Sequence, residues 1–292
     1  MIFFEKISYY GVLAWFWFLS KLPLRFLFFA SELLTFLVYR LIGYRKKVVM
    51  QNLQNAFPNH DAKAIKKIAR KYYRHLSVMI VENIYLRFVP RNQLVNHLVV
   101  EEVELFQKLY CEKRNVVLML GHLGNWEMGG ILSQFIPYRF AAVYKKLSSP
   151  VFDKIYFDIR SRLGVIPVEM KEVLRKVHQL NNEETPFALF MVADQAPLFS
   201  ETQHWIPFLH QDTGVYLGSE KLARKFDMAV VYLELIRIKK GSYRLRPTLI
   251  TETPKETRPK EITERFFQLL EASILDAPRY WLWSHRRWKH QR

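Results

Sequence analysis

A run that begins at Asn59 or Asp61 and ends near Phe88 places Ile65, Ile68, Tyr72, Leu76, Ile80 and Ile84 three to four residues apart, with lysines and arginines between them. That spacing predicts an amphipathic helix with a basic outer side. Beyond it, short apolar runs alternate with helical periodicity. Strands are predicted over 116–120, 140–144, 165–168, 187–193, 228–236 and 243–250, and helices over 125–135, 151–163, 171–180, 216–226 and 260–275. Strand and helix in alternation predict an α/β fold: a central mixed, mostly parallel sheet flanked by helices. The charged, proline-containing stretch Thr251 to Lys260 reads as a surface loop.

The amino terminus follows a different pattern. Residues 9–20 are uncharged, an apolar run of only about a dozen against the roughly twenty that cross a bilayer. Lys21, Pro23 and Arg25 interrupt it before a second apolar stretch, Phe26 to Ile42. On a helical wheel Arg25, Ser31, Glu32 and Thr35 form a narrow polar stripe in that stretch, with Phe26, Leu27, Leu33, Leu34, Phe36 and Leu37 around the remainder. Such a helix lies in the headgroup plane or packs half inside the protein; a tilted spanning anchor is the alternative. Arg45, Lys46 and Lys47 follow at once, a cytoplasmic-side signature that favours anionic lipid. The chain therefore divides into a membrane-associating segment, 1–47, and an α/β domain, 48–292. No small-residue cleavage pattern follows the first apolar run, so a cleaved signal peptide is not expected.

Composition narrows the partners. The 292 residues carry a formal charge of +17, with seven Trp and 22 Phe. An excess of positive charge calls for an anionic partner, either nucleic acid or membrane. Aromatic rings with basic heads suit the headgroup layer. No zinc-finger spacing, RNA-binding aromatic sheet signature or glycine-rich phosphate loop is present, so nucleic acid is not expected. Cys111 stands alone and reads as structural, and the scattered histidines show no metal-ligand spacing, so no metal is expected.

The candidate chemistry sits at Gly121-His122-Leu123-Gly124-Asn125-Trp126-Glu127, directly after the apolar run Val116 to Leu120. A strand that breaks at Gly-His and continues helically puts an imidazole and a carboxylate at a strand-to-helix turn, where α/β enzymes place their reactive groups. Neutral imidazole is matched to accepting a proton near pH 7, and a carboxylate can fix its tautomer. On a continuous helix the two would stand about 140° apart, so they meet only if His122 lies in the turn. Glycines at 121, 124, 129 and 130 suggest close approach of ligand or backbone. The other reading is a structural pair with the imidazole on a main-chain carbonyl.

The Gly-His-Leu-Gly-Asn-Trp-Glu box resembles the His-x-x-x-x-Asp/Glu motif of glycerolipid-type acyltransferases. In this fuller form it is similar to that of the bacterial lipid A late acyltransferases. Asn52-Leu53-Gln54-Asn55-Ala56-Phe57-Pro58, Tyr144-Lys145-Lys146, the helix with Arg160 and Arg162, Ala193-Asp194-Gln195, Trp205 to Leu209, Asp212-Thr213-Gly214 and the closing Trp281 to Lys289 resemble the same family in order, from about residue 8 to the terminus. Lys145-Lys146 in place of an Arg-Pro type pair, and Ala196-Pro197 where a longer polar loop is common, depart from the pattern. They bear on acceptor and acyl length, not on reaction class.

The resemblance implies transfer of a fatty acyl group from an acyl carrier protein thioester to a hydroxyl of a lipid A precursor, without a cofactor, on the cytoplasmic face of the inner membrane. It implies His122 as general base and Glu127 as its orienting carboxylate. Asn125 is a candidate oxyanion donor or a helix cap. Tyr144, Lys145, Asp194 and Thr213 are candidate substrate-positioning groups. Arg160 and Arg162 meet phosphates or are simply solvated. Arg286 and Arg287 form a headgroup patch or steer the acidic carrier. Other readings are acylation of an aminolipid or phosphoglycolipid, a thioesterase, and a non-catalytic membrane or nucleic-acid binder.

Overall fold

Val116 to Leu120 is apolar and buried at every position, which suits a strand covered on both faces of a parallel sheet. The computed structural model, which describes residues 3–290, places it at the centre of seven strands. In chain order the elements are α1 (Phe3–Ser20), α2 (Leu24–Phe36), α3 (Lys46–Ala56), α4 (Ala62–Phe88), β1 (Leu98–Val100), α5 (Val103–Cys111), β2 (Val116–Leu120), β3 (Arg139–Tyr144), α6 (Pro150–Arg162), β4 (Val165–Glu169), α7 (Val173–Asn181), β5 (Phe187–Val192), β6 (His204–Phe208), β7 (Gln211–Val215), α8 (Gly218–Phe226), β8 (Ala229–Lys239), β9 (Ser242–Thr251) and α9 (Glu261–Asp276). The sheet order is β1-β9-β8-β2-β5-β3-β4, and only β8 and β9 pair antiparallel within it. The expected mixed, mostly parallel sheet is therefore present.

Two cores flank the sheet, and β2 alternates between them. Val117 and Met119 join Leu53, Tyr72, Phe266 and Trp283 on one face, while Val116, Leu118 and Leu120 join Phe106, Leu132 and Ile159 on the other. α4 begins where Asp61 accepts a hydrogen bond from the Ala64 amide at 2.6 Å, an N-cap that matches the predicted start.

Three features departed from the sequence reading. Residues 126–134 form a 3-10 stretch (Trp126–Gln134) in place of the expected α-helix; its central Gly129-Gly130 pair is a weak helix former. β1, with three residues, is too short to show periodicity. The hairpin β6–β7 turns at Leu209 and His210, both at positive φ. These residues give none of the Asn-Gly signal by which such turns are recognised.

At the amino terminus Ser31, Glu32 and Thr35 of the polar stripe of α2 face the protein, while Arg25 is exposed. Ser31 is buried, and Glu32 accepts Arg74 Nε at 2.8 Å and Lys240 Nζ at 2.9 Å. Phe26, Phe29, Leu33 and Phe36 face outward, Phe29 with 78% of its surface exposed. Tyr9 of α1 donates to Asp158 of α6 at 2.5 Å. Among the described residues no single helix is long and apolar enough to cross a membrane. Leu24–Leu41 and Lys46–Ala56 meet that test only as a pair bent by 89°, and Val49, Leu53 and Ala56 of α3 are buried in the core.

Candidate active site

The register of β2 on β5 pairs Leu120 with Val192. Two residues further along each strand stand His122 and Asp194, so the pairing that builds the sheet carries them together at its carboxyl edge, the usual ligand-facing end of parallel strands. His122 Nδ1 lies 2.6 Å from Asp194 Oδ1, and the His122 amide donates to Asp194 Oδ2 at 2.9 Å. Trp281 Nε1 donates to the same Oδ2 at 2.7 Å. Burial by itself would raise the Asp194 carboxyl; the charge of the His122 ring and the three hydrogen bonds outweigh it and bring it down to about 2. An ionised Asp194 requires the proton of a neutral His122 to sit on Nδ1. Nε2 is then an acceptor, and Gln195 Nε2 donates to it at 3.0 Å.

The backbone around His122 is fixed from the carboxyl end of the chain. The Gly124 amide donates to the Tyr280 carbonyl at 3.0 Å and the Leu282 amide to the His122 carbonyl at 3.1 Å, with Leu123 bridging Trp281. Gly124 has φ +64, and a Cβ there would come within 2.6 Å of the Leu235 carbonyl. Only glycine fits such a turn pressed against a strand. Behind it, the buried His75 holds the Gly124 carbonyl through Nε2 at 3.2 Å while Arg237 donates to its Nδ1, also at 3.2 Å. Gly129 and Gly130 pack against the side chains of Leu235 and Leu163.

Glu127 does not orient His122. Its carboxylate takes two hydrogen bonds from Arg160, Nε to Oε2 at 3.0 Å and NH2 to Oε1 at 2.5 Å. This forked ion pair is flanked by the rings of Tyr144 and Tyr156 at 5.4 and 5.8 Å from the guanidinium. The physical reason is directional: with His122 in the turn, its Nδ1 points across to β5, and the 3-10 stretch carries Glu127 toward α6. Burial would lower the Arg160 pKa, but Glu127 outweighs it, and the net direction is upward. Arg160 is thus neither solvated nor free for a phosphate.

The remaining predicted residues are distributed as follows. Asn125 is fully buried; its amide donates to Glu82 at 3.2 Å and Asn83 at 3.0 Å, and it neither caps the 3-10 stretch nor faces the imidazole. Arg162 donates to the Val89 carbonyl. Thr213 is buried, donates to the Gln211 carbonyl and accepts Trp288 Nε1 at 2.8 Å, clasping the carboxyl-terminal segment. Lys145 and Arg286 are exposed. Arg287, only 2% exposed, lies over Phe267 at 5.7 Å with its Nε and NH2 unpartnered, so it belongs to the interior and not to a headgroup patch. Burial takes its pKa down to about 10, against the opposing pull of Asp194. Gln195, Trp281, His75 and Arg237 were missed as site residues. Gln195 and Trp281 sit inside recognised motifs; His75 and Arg237 lie in a helix and a strand with no local signal.

A histidine bonded to a buried carboxylate at the carboxyl ends of adjacent parallel strands is an arrangement in which α/β enzymes place reactive groups. Comparison with known proteins specifies it further. The chain belongs to the bacterial lipid A biosynthesis acyltransferase family, whose model matches residues 4–290, and it is an acyltransferase. It is 23% identical over 283 residues, 96% of this chain and 89% of the relative, to a lipid A biosynthesis palmitoleoyltransferase of Escherichia coli K12. To a lipid A biosynthesis lauroyltransferase of the same organism it is 22% identical over 276 residues, 94% of this chain and 88% of that protein. A lipid A biosynthesis acyltransferase of Shigella flexneri matches at 23% over 283 residues.

Proposed function

We propose that this protein is a membrane-associated O-acyltransferase that moves a fatty acyl chain from an acyl carrier protein thioester to a hydroxyl of a lipid A precursor, with His122 as general base and Asp194 as its orienting carboxylate. The observation that carries this reading is the 2.6 Å contact of His122 Nδ1 with Asp194, which leaves Nε2 as the acceptor. The lipid hydroxyl gives its proton to Nε2 as its oxygen bonds to the thioester carbonyl carbon. The tetrahedral intermediate collapses, the carbon–sulfur bond breaks, and the proton passes from Nε2 to the leaving thiolate, so an ester and a free thiol result. Nε2 has one lone pair, so the hydroxyl replaces Gln195 there before giving up its proton, and the released Gln195 amide is free to donate to the developing oxyanion. No protein acyl intermediate is needed.

The outward apolar side chains of α1 and α2, among them Trp15, Phe18, Phe29 and Leu33, together with the +17 charge, support seating at an anionic membrane surface, on the cytoplasmic face of the inner membrane. The acidic carrier suits the same charge.

The test is acyl transfer by purified protein from acyl carrier and coenzyme A thioesters to lipid A precursor, aminolipid and phosphoglycolipid acceptors, read by mass spectrometry. His122→Ala should reduce transfer at least about 10³-fold, the scale of losing an essential base. Full transfer by that variant refutes the assignment. Free fatty acid without acylated acceptor would indicate a thioesterase.

A further inference from the structure

On the far side of the His122 turn, α4, the β8–β9 hairpin and the segment before Tyr280 enclose a cleft of about 290 Å³. Six cations line it: Lys71, Arg74, Arg237, Lys239, Lys240 and Arg279. Glu32 serves two of them, Arg74 and Lys240. Among the described residues no carboxylate makes an ion pair with the other four. Arg237 donates to a neutral imidazole, His75, and Arg279 stacks over Tyr280 at 4.5 Å. Charges gathered in this way repel one another unless an anion joins them, and two guanidinium groups with flanking ammonium groups suit the oxygens of a phosphate.

The cleft also has an apolar border. Lys240 Nζ lies 3.4 Å from the Phe28 carbonyl and 5.7 Å from the Phe28 ring of α2, and the same helix turns Phe29 and Leu33 outward. A cation-lined cleft beside an exposed apolar helix face matches the shape of a lipid, with its headgroup held by the cations and its chains along the helix. We infer that this cleft binds the phosphate of an anionic membrane-lipid headgroup, and that in the proposed reaction it holds a phosphate of the acceptor. The latter clause rests on the reading given under Proposed function; the binding itself does not. Through His75, which touches both Arg237 and the Gly124 carbonyl, an occupied cleft bears directly on the turn that carries His122.

The test uses the full chain and vesicles of phosphatidylcholine with or without phosphatidic acid, read by co-sedimentation. The exposed pair Lys239→Ser/Arg279→Ala is the main variant, Arg237→Gln a second, and Lys171→Ala/Arg175→Ala, on a distant exposed surface, the charge-matched control. Wild type and control should bind phosphatidic acid vesicles at least tenfold more tightly than neutral ones, with the preference lost in Lys239→Ser/Arg279→Ala at an unchanged melting temperature. An unchanged preference in both cleft variants overturns the inference, as does protection of the protein by soluble glucose 1-phosphate without any vesicle preference. In the transfer assay Lys239→Ser/Arg279→Ala should raise KM for a phosphorylated acceptor about tenfold and leave a dephosphorylated one unaffected. His122→Ala should keep full vesicle binding, so failure of the chemistry and failure of the cleft are read separately.

Discussion

Two carboxylates near His122 have been sorted by geometry into different roles. Asp194 touches the imidazole and Glu127 is engaged by Arg160. Asp194→Asn removes the acceptor that holds the proton on Nδ1, and kcat should fall about 10³- to 10⁴-fold with little change in KM, as expected when a base is left in the wrong tautomer. Glu127→Gln should act mainly on stability. The Glu127 side chain is 4% exposed and the Arg160 side chain 19%, and an abandoned buried guanidinium costs about 3–5 kcal/mol. Thermal melting and steady-state kinetics on both variants check this. A Glu127→Gln enzyme with wild-type melting and lost kcat would return Glu127 to the chemistry. His122 and both carboxylates were legible as motif residues in the sequence; which carboxylate serves the imidazole was not, because Asp194 lies 72 residues away.

At the scale of elements, the turn after β2 depends on close packing between segments distant in sequence. The Gly124 backbone is left-handed and sits against the Leu235 carbonyl of β8, while Tyr280 and Leu282 pin it from the carboxyl end. Gly124→Ala therefore meets both backbone strain and a collision with a main-chain oxygen, which a rotamer change cannot relieve. The expected outcome is a loss of roughly 2–4 kcal/mol of stability, measured by denaturant unfolding, with a parallel loss of transfer as His122 shifts. Wild-type stability in that variant would show that the loop yields more easily than its contacts imply. The helix α4 was legible through a period sustained over many residues, and the strands β2 and β5 as uninterrupted apolar runs. β1 and the Leu209-His210 hairpin were not, since their conformation is imposed by pairing partners and not by their own residue preferences.

For the whole molecule, the buried His75 and the half-buried His285 couple stability to pH. Burial, reinforced by Arg237, takes His75 down to about 3, and burial takes His285 down to about 4 despite the nearby Asp194. An unfolded histidine titrates near 6.5. As pH falls below that value the unfolded chain gains two protons that the folded chain does not, so stability rises with pH over this range and is lost on acidification. Unfolding free energy should drop by roughly 2–4 kcal/mol between pH 7.5 and pH 5, followed by urea titration, and His75→Gln should remove about half of that slope. A flat profile would mean that one or both rings charge in place. The depressed Asp194 adds nothing in this window; its contribution is lost only as pH falls from the ordinary carboxylate range toward about 2.

The sequence by itself determined the elements with strong period, the α/β class, the basic and aromatic character of the surface and the position of His122 at a strand end, because each is written in neighbouring residues. Only the tertiary structure decided that the β2–β5 register brings Asp194 to the imidazole, that Arg160 takes Glu127, that Arg287 is buried, and that cations from α4, β8 and the segment before Tyr280 share one cleft. These are long-range contacts, set by which strands pair and which faces pack, and residue spacing along a chain carries no record of them.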